Sequence, residues 1–159
     1  MDFEKQFIGQ AKSAIDGKGR CAFPREFRRQ MTPEDGSEFV LTYWGRDRLR
    51  LFVRPEYEKF IANVDKTYSR KDAYNFRLTL KAYVFELDGQ NRILLPKDKL
   101  QHAGLTNSVT FVDSVGGKSL ELWNTEKYEA AFSLDSEESL AKFEQLCMAD
   151  FTEAGDVQK

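Results

Sequence analysis

Apolar and polar residues alternate along this chain in short runs, broken by Asp-Gly, Gly-Gly and proline, a pattern that predicts strands and tight turns. Phe7 to Ile15 and Tyr83 to Leu87 read as extended segments. Each leads into an Asp-Gly dipeptide, Asp16-Gly17 or Asp88-Gly89, which favours a tight reversal. Short strands are predicted next, at Cys21 to Phe23 and Ile93 to Leu95. Pro24 and Pro96 then suit the first position of a short helix, where the missing N–H costs nothing. Those helices carry Phe27 with Met31 and Leu100 with Ala103, and Gly104 is placed to stop the second. Hairpins follow: Phe39 to Tyr43 with Arg48 to Val53 around Gly45-Arg46-Asp47, and Val109 to Val112 with Ser119 to Trp123 around Gly116-Gly117. Closing helices are predicted to begin near Pro55, with Tyr57, Phe60, Ile61 and Val64 as its stripe, and near Thr125, with Asn124 as N-cap. Ser69-Arg70-Lys71-Asp72 has the form of a capping box that opens a helix carrying Ala73, Phe76 and Leu80. Asp135 and Ser136 offer N-caps for an acidic helix with Leu140, Phe143 and Cys147 on one face. Residues 149–159 have little to bury and are expected to fray.

The two series of elements are copies of one another. Asp, Gly, Arg and Pro of Asp16-Gly17-Lys18-Gly19-Arg20…Pro24 recur 72 positions later in Asp88-Gly89-Gln90-Asn91-Arg92…Pro96. Leu49-Arg50-Leu51-Phe52 with Tyr57-Glu58 recurs 71 positions later as Leu120-Glu121-Leu122-Trp123 with Tyr128-Glu129. The order and length of this match indicate duplication. A first unit over 7–68, a connecting helix over 69–82 and a second unit over 83–148 are expected to form one compact domain, because a unit of roughly 70 residues is marginal alone.

The 159 residues hold 41% apolar side chains, enough for a packed interior and too many for a disordered chain. Cys21 and Cys147 lie far apart with no neighbouring cysteine, so neither a disulfide framework nor a CxxC metal site is available. No apolar run has the 18 or so residues a membrane helix needs, and Met1-Asp2-Phe3-Glu4-Lys5 is too polar for a signal peptide. The expectation is a cytoplasmic protein that is not an enzyme and has no cofactor, metal, membrane or small-molecule substrate.

The twice-repeated turn, each copy followed four residues later by proline, resembles the MraZ family of bacterial transcription regulators, as does His102-Ala103-Gly104-Leu105. The similarity runs from about Phe7 to Leu146. It implies an α+β fold in which two tandem swapped-hairpin, AbrB-like units with short flanking helices close a pseudo-symmetric β-barrel. It also implies a ring-shaped homo-oligomer, associated with the nucleoid, that binds short repeats in double-stranded promoter DNA of the division and cell wall gene cluster, including its own gene. One departure is Asn91, where the family usually has glycine.

A formal charge of −2 argues against a nucleic-acid partner until it is divided along the chain. Residues 1–105 hold 20 basic and 15 acidic side chains, and residues 106–159 hold 4 and 11. Lys18, Arg20, Arg25, Arg28 and Arg29 set five positive charges against Glu26. A basic turn followed by a basic helix start can hold phosphates, and arginine can read a guanine edge bidentately. The same cluster also fits a solvated helix face. In the second unit Arg92 and Lys97 are the candidates, with Arg92 equally suited to pairing with an acid. Asp16 and Asp88 are expected to accept backbone N–H bonds and, with Gly17, Gly19 and Gly89, to shape the turns that aim Arg20 and Arg92.

Three motifs mislead. Gly17-Lys18-Gly19-Arg20-Cys21-Ala22 fits a dinucleotide fingerprint but runs into a strand and Pro24 in place of a helix. Gly117-Lys118-Ser119 lacks the earlier glycine of a phosphate loop, because Val112 stands there. His102 is the sole histidine and suits a surface or helix-end position better than a base. Arg46, Arg48 and Arg50 alternate on one strand face, and Ser119 and Glu121 occupy the matching positions of the second unit. Head-to-tail contact of these faces between neighbouring chains is one expectation, and solvated faces are the other. Two functions remain open: a DNA-binding regulator, or a non-catalytic ring scaffold whose basic turn holds an acidic partner.

Overall fold

The computed structural model describes residues 5–149. Its elements are β1 (Gln10–Ala14), β2 (Arg20–Ala22), α1 (Arg25–Arg28), β3 (Glu38–Trp44), β4 (Arg48–Val53), α2 (Arg54–Thr67), α3 (Arg70–Thr79), β5 (Tyr83–Glu86), β6 (Arg92–Leu94), α4 (Lys97–Ala103), β7 (Ser108–Asp113), β8 (Ser119–Trp123), α5 (Thr125–Ala131) and α6 (Glu137–Cys147). Of the tail expected to fray, all but Ala149 lies outside the described residues.

Local signals act largely as the sequence predicts. Ser69 accepts from Asp72 N at 3.1 Å and Ser136 from Ser139 N at 3.0 Å, and Gly104 ends α4 in the left-handed conformation at φ +61°. The prolines stand one position earlier than expected. Pro24 (ψ 137°) and Pro96 (ψ 154°) are still extended and precede α1 and α4 as N-caps. Phe23 N donates to Asn91 O and Leu95 N to Gly19 O, so ladder bonding holds the chain extended up to each proline.

Six strands form an antiparallel sheet in the order β1-β7-β8-β4-β3-β5, and β2 pairs with β6 in a separate ribbon. Exchanging the two repeats reverses this order and leaves it unchanged. The first strand of each repeat therefore pairs with the hairpin of the other: β1 with β7, and β5 with β3. Cys21 faces its repeat counterpart Ile93 in the ribbon, and Arg50 faces its counterpart Glu121 in the sheet, so the pseudo-twofold passes through both pairs. The sheet does not close. β1 and β5 are its two edges, so the closed barrel implied by the resemblance is replaced by an open sheet beside a ribbon.

The buried face gathers Phe23, Phe27, Phe39, Leu41, Leu49, Leu51, Ile93, Phe111, Leu120 and Leu122 in one core drawn from both repeats. Burying each such side chain contributes about 1.5–3 kcal/mol. All eight strands lie in a compact unit that ends at Thr125. From Glu126 a second unit begins, in which the Tyr128 and Phe132 rings lie 5.1 Å apart.

Three cations are buried that composition would leave in water. The Arg50 guanidinium sits 4.5 Å from the Trp44 ring and 4.6 Å from Phe52, and donates to Ser119 Oγ at 3.0 Å and Val115 O at 3.1 Å. Lys118 Nζ donates to Asp35 Oδ2 and Gln30 O, both at 2.7 Å. Lys99 Nζ donates to Asp98 Oδ2 at 2.9 Å. Arg48 Nη1 reaches Glu121 Oε1 at 3.1 Å. The basic face of β4 thus meets the Ser119–Glu121 face inside one chain, which corrects the expectation that Arg48 and Arg50 bridge neighbouring chains. The physical reason is strand order: β4 and β8 are adjacent, and that register consumes both faces.

Candidate nucleic-acid interface

The two Asp-Gly turns have the same bonding. Asp16 Oδ1 accepts from Lys18 N and Arg20 N, both at 2.9 Å, while Arg20 Nε donates to Asp16 Oδ2 at 2.8 Å. Asp88 Oδ1 accepts from Gln90 N at 2.8 Å and Arg92 N at 2.9 Å, while Arg92 Nε donates to Asp88 Oδ2 at 2.8 Å. Each turn is closed by main-chain bonds, Asp16 N to Arg20 O at 2.9 Å and Asp88 N to Arg92 O at 3.1 Å. Arg92 therefore does pair with an acid, as Arg20 does, and in both the pairing uses Nε. Among the described residues no side chain or backbone oxygen engages the terminal guanidinium nitrogens of either arginine.

Both turns need a left-handed residue at their fourth position. Gly19 has φ +84°, and a Cβ there would lie 3.1 Å from Leu95 O. Asn91 takes the same place with φ +59°. Asparagine visits this region more readily than other side chains, so the departure from the family's glycine leaves the second turn's hydrogen bonding intact.

Backbone donation from Arg20 is the largest influence holding the Asp16 carboxyl low, at about 2, with Lys18 N and the Arg20 side chain adding to it. Asp88 is lowered for the corresponding reason, first by Arg92 N–H. Both carboxylates are ionised at neutral pH and hold their arginines in fixed directions.

β2 and β6 join these turns into one short ribbon. Arg20 opposes Leu94 and Ala22 opposes Arg92, while Cys21 and Ile93 point inward and are buried. Side chains opposed across an antiparallel pair share a face, so Arg20 and Arg92 look outward together. The strand exchange redistributes the other candidates. Lys97 begins α4 two residues after Leu95, which bonds Gly19 of the first turn; Arg25 begins α1 two residues after Phe23, which bonds Asn91 of the second. Lys18 and Arg20 are thus grouped with Lys97, and Arg92 with Arg25, Arg28 and Arg29, rather than the first turn with its own helix. Lys18, Arg25, Arg28, Arg29 and Lys97 are all exposed. Arg28 Nε donates to Phe23 O at 3.3 Å, which tethers its base and leaves its end outward.

The family model for MraZ protein, described as antitoxin-like, matches residues 78–148. A transcriptional regulator MraZ of Leuconostoc citreum is 31% identical over 127 residues, covering 78% of this chain and 85% of that protein. One of Oenococcus oeni is 32% identical over 126 residues, covering 77% and 84%. The chain belongs to the MraZ family. A further relative of the same name, from Nitratidesulfovibrio vulgaris, is 29% identical over 140 residues, 86% of this chain and 92% of its own. The ribbon and both turns therefore sit in a chain whose relatives are named transcriptional regulators.

Sequence reasoning did not find the part Tyr43, Asp98, Lys99 and His102 play beside the start of α4. Tyr43 Oη donates to Asp98 Oδ2 at 3.1 Å, and its ring stacks on His102 at 4.1 Å with 5° between planes. His102 Nε2 meets Gly45 O at 3.1 Å. The histidine is thereby a strut between α4 and the β3–β4 hairpin. Among the described residues no group of three or more His, Cys, Asp or Glu could hold a metal, and no helix is long and apolar enough to cross a membrane.

Proposed function

We propose that this chain is a sequence-specific DNA-binding regulator whose β2–β6 ribbon enters the major groove. The observation that carries the reading is the pair of identically braced arginines on one outward ribbon face, each with its terminal nitrogens unengaged among the described residues. A two-stranded ribbon fits the major groove, and arginine forks onto guanine O6 and N7. Lys18, Lys97, Arg25, Arg28 and Arg29 flank the ribbon as phosphate contacts, which position the protein without reading sequence. The target in this reading is a set of short promoter repeats, that of the division and cell wall cluster with its own gene, bound by several AbrB-like protomers of a ring in the cytoplasm at the nucleoid. Linked sites multiply the modest grip of one ribbon.

The test is binding of the DNA just upstream of the protein's own gene, intact and with its repeats scrambled. Preference for the intact fragment is expected. Equal affinity for both would favour the scaffold reading, in which the basic turn holds an acidic protein.

A further inference from the structure

The outward ribbon face carries two apolar side chains besides its arginines. Leu94 stands directly opposite Arg20 and two residues beyond Arg92, so it shares their face, and Ala22 stands opposite Arg92. Leu94 is 52% exposed, although its strand neighbours Ile93 and Leu95 are buried. An isolated exposed leucine needs no explanation. This one lies between two guanidiniums held in place by their own aspartates, where water would otherwise solvate a charged surface continuously.

We propose that Leu94, and to a smaller extent Ala22, packs against thymine C5-methyl groups, so that the ribbon reads thymine beside the guanines its arginines read. The inference rests on the DNA-binding reading above. The thymine methyl is the apolar feature of the major-groove edge, and small apolar side chains are its usual contacts. Residues two apart on a strand are about 7 Å apart, close to two base-pair rises of about 3.4 Å. The thymine met by Leu94 therefore lies within about two base pairs of the guanine read by Arg92. Leu94 and Ala22 are repeat counterparts, and the longer side chain reaches further from the ribbon, so the two ends of the face discriminate unequally.

Deoxyuridine provides the test, because it lacks only the methyl group and keeps every hydrogen-bonding edge of thymine. A duplex selected by the wild-type protein from a random pool is prepared with each thymine replaced singly by deoxyuridine. Binding is measured for wild type, Leu94→Ala and Leu94→Met, with melting curves confirming the folded state. At one position or more, near a required guanine, the wild type is expected to lose about fourfold, the worth of one buried methyl. Leu94→Met should keep that sensitivity. Leu94→Ala should bind the all-thymine duplex about fourfold less tightly and be indifferent to the uridine there. The proposal is overturned if no single uridine weakens the wild type, if Leu94→Ala loses as much as wild type at every uridine, or if Leu94→Ala loses all duplexes alike. Failure to enrich any duplex from the pool would instead overturn the DNA-binding reading, and this inference with it.

Discussion

Arg50 stands directly across the β4–β8 ladder from Glu121, its own counterpart in the second repeat. Burial pushes the guanidinium's pKa down, with Glu121 and then Glu56 opposing that shift, and Trp44, Phe52 and Ser119 enclose it. Arg50→Glu would set two carboxylates face to face in this enclosure. Arg50 bonds Ser119 Oγ and Val115 O while Glu121 pairs with Arg48, so a carboxylate at position 50 is an uncompensated buried charge. Such a charge costs about 3–5 kcal/mol, and urea unfolding should show a loss of that size. Arg50→Met, which keeps the aromatic packing, should lose less. Equal losses would show that the charge contributes nothing.

At the left-handed turn positions the two repeats should respond differently to substitution. Gly19→Ala adds a Cβ 3.1 Å from the Leu95 carbonyl oxygen at φ +84°, and forcing an L side chain into this region costs about 1–2 kcal/mol. Asn91→Gly should be nearly neutral, since it only restores the freer residue. Thermal melting of the two variants is the check, and a Gly19→Ala protein as stable as wild type would contradict the turn geometry.

The Asp16 carboxyl should titrate with a midpoint near 2 instead of 3.8. A pKa depressed on folding means the group stabilises the folded state above its unfolded value and ceases to do so as pH falls through the folded one. The contribution is therefore complete above about pH 4 and vanishes between there and pH 2. Carboxyl-carbon NMR titration reports it directly, and a midpoint at the unfolded value would sink the bracing role given to Arg20 N–H. Asp88 should shift in the same direction.

Lowering the charge of the first turn should weaken DNA binding most at low salt. Arg20→Ala is expected to cost about 1–3 kcal/mol of affinity on the preferred repeat. Lys18→Ala should weaken binding to any sequence and reduce the magnitude of the log affinity against log salt slope by about 0.9. Anisotropy titrations from low to physiological salt separate the two behaviours.

Alkylation should distinguish the two cysteines. Cys21 is 1% exposed and its thiol is pushed up to about 12, first by burial and then by the nearby Asp16 charge, whereas Cys147 is exposed. Iodoacetamide at pH 8 should therefore mark Cys147 alone on the folded protein, because the thiolate is the reacting form. Mass spectrometry showing modification of native Cys21 would contradict its place at the centre of the ribbon's inner face.

Local chemistry was legible in the sequence wherever a residue's own backbone decides the outcome. Asp16 and Asp88 organise their turns, Ser69 and Ser136 cap their helices, and the hairpins fall where glycine predicts them. What escaped was decided by partners distant in the chain. Nothing near Gln10 says that it pairs with Val112, and without that exchange chain order groups Lys18 with Arg25 instead of Lys97. Arg48 and Arg50 looked like a surface seeking an acidic neighbour because their acidic neighbour is some 70 positions away. Lys99 and Lys118 were unreadable as buried residues, since lysine is almost never buried unless paired, and Asp35 becomes a partner only in three dimensions.

The exchange of first strands also has a consequence for a nascent chain. β1 ends at Ala14, yet its ladder partner is completed only when Val112 has been made. At synthesis rates of about 5–20 residues per second, that interval lasts roughly 5 to 20 seconds. During it the first repeat is on the ribosome with its edge strand unclaimed, and any second nascent copy nearby offers an equivalent hairpin.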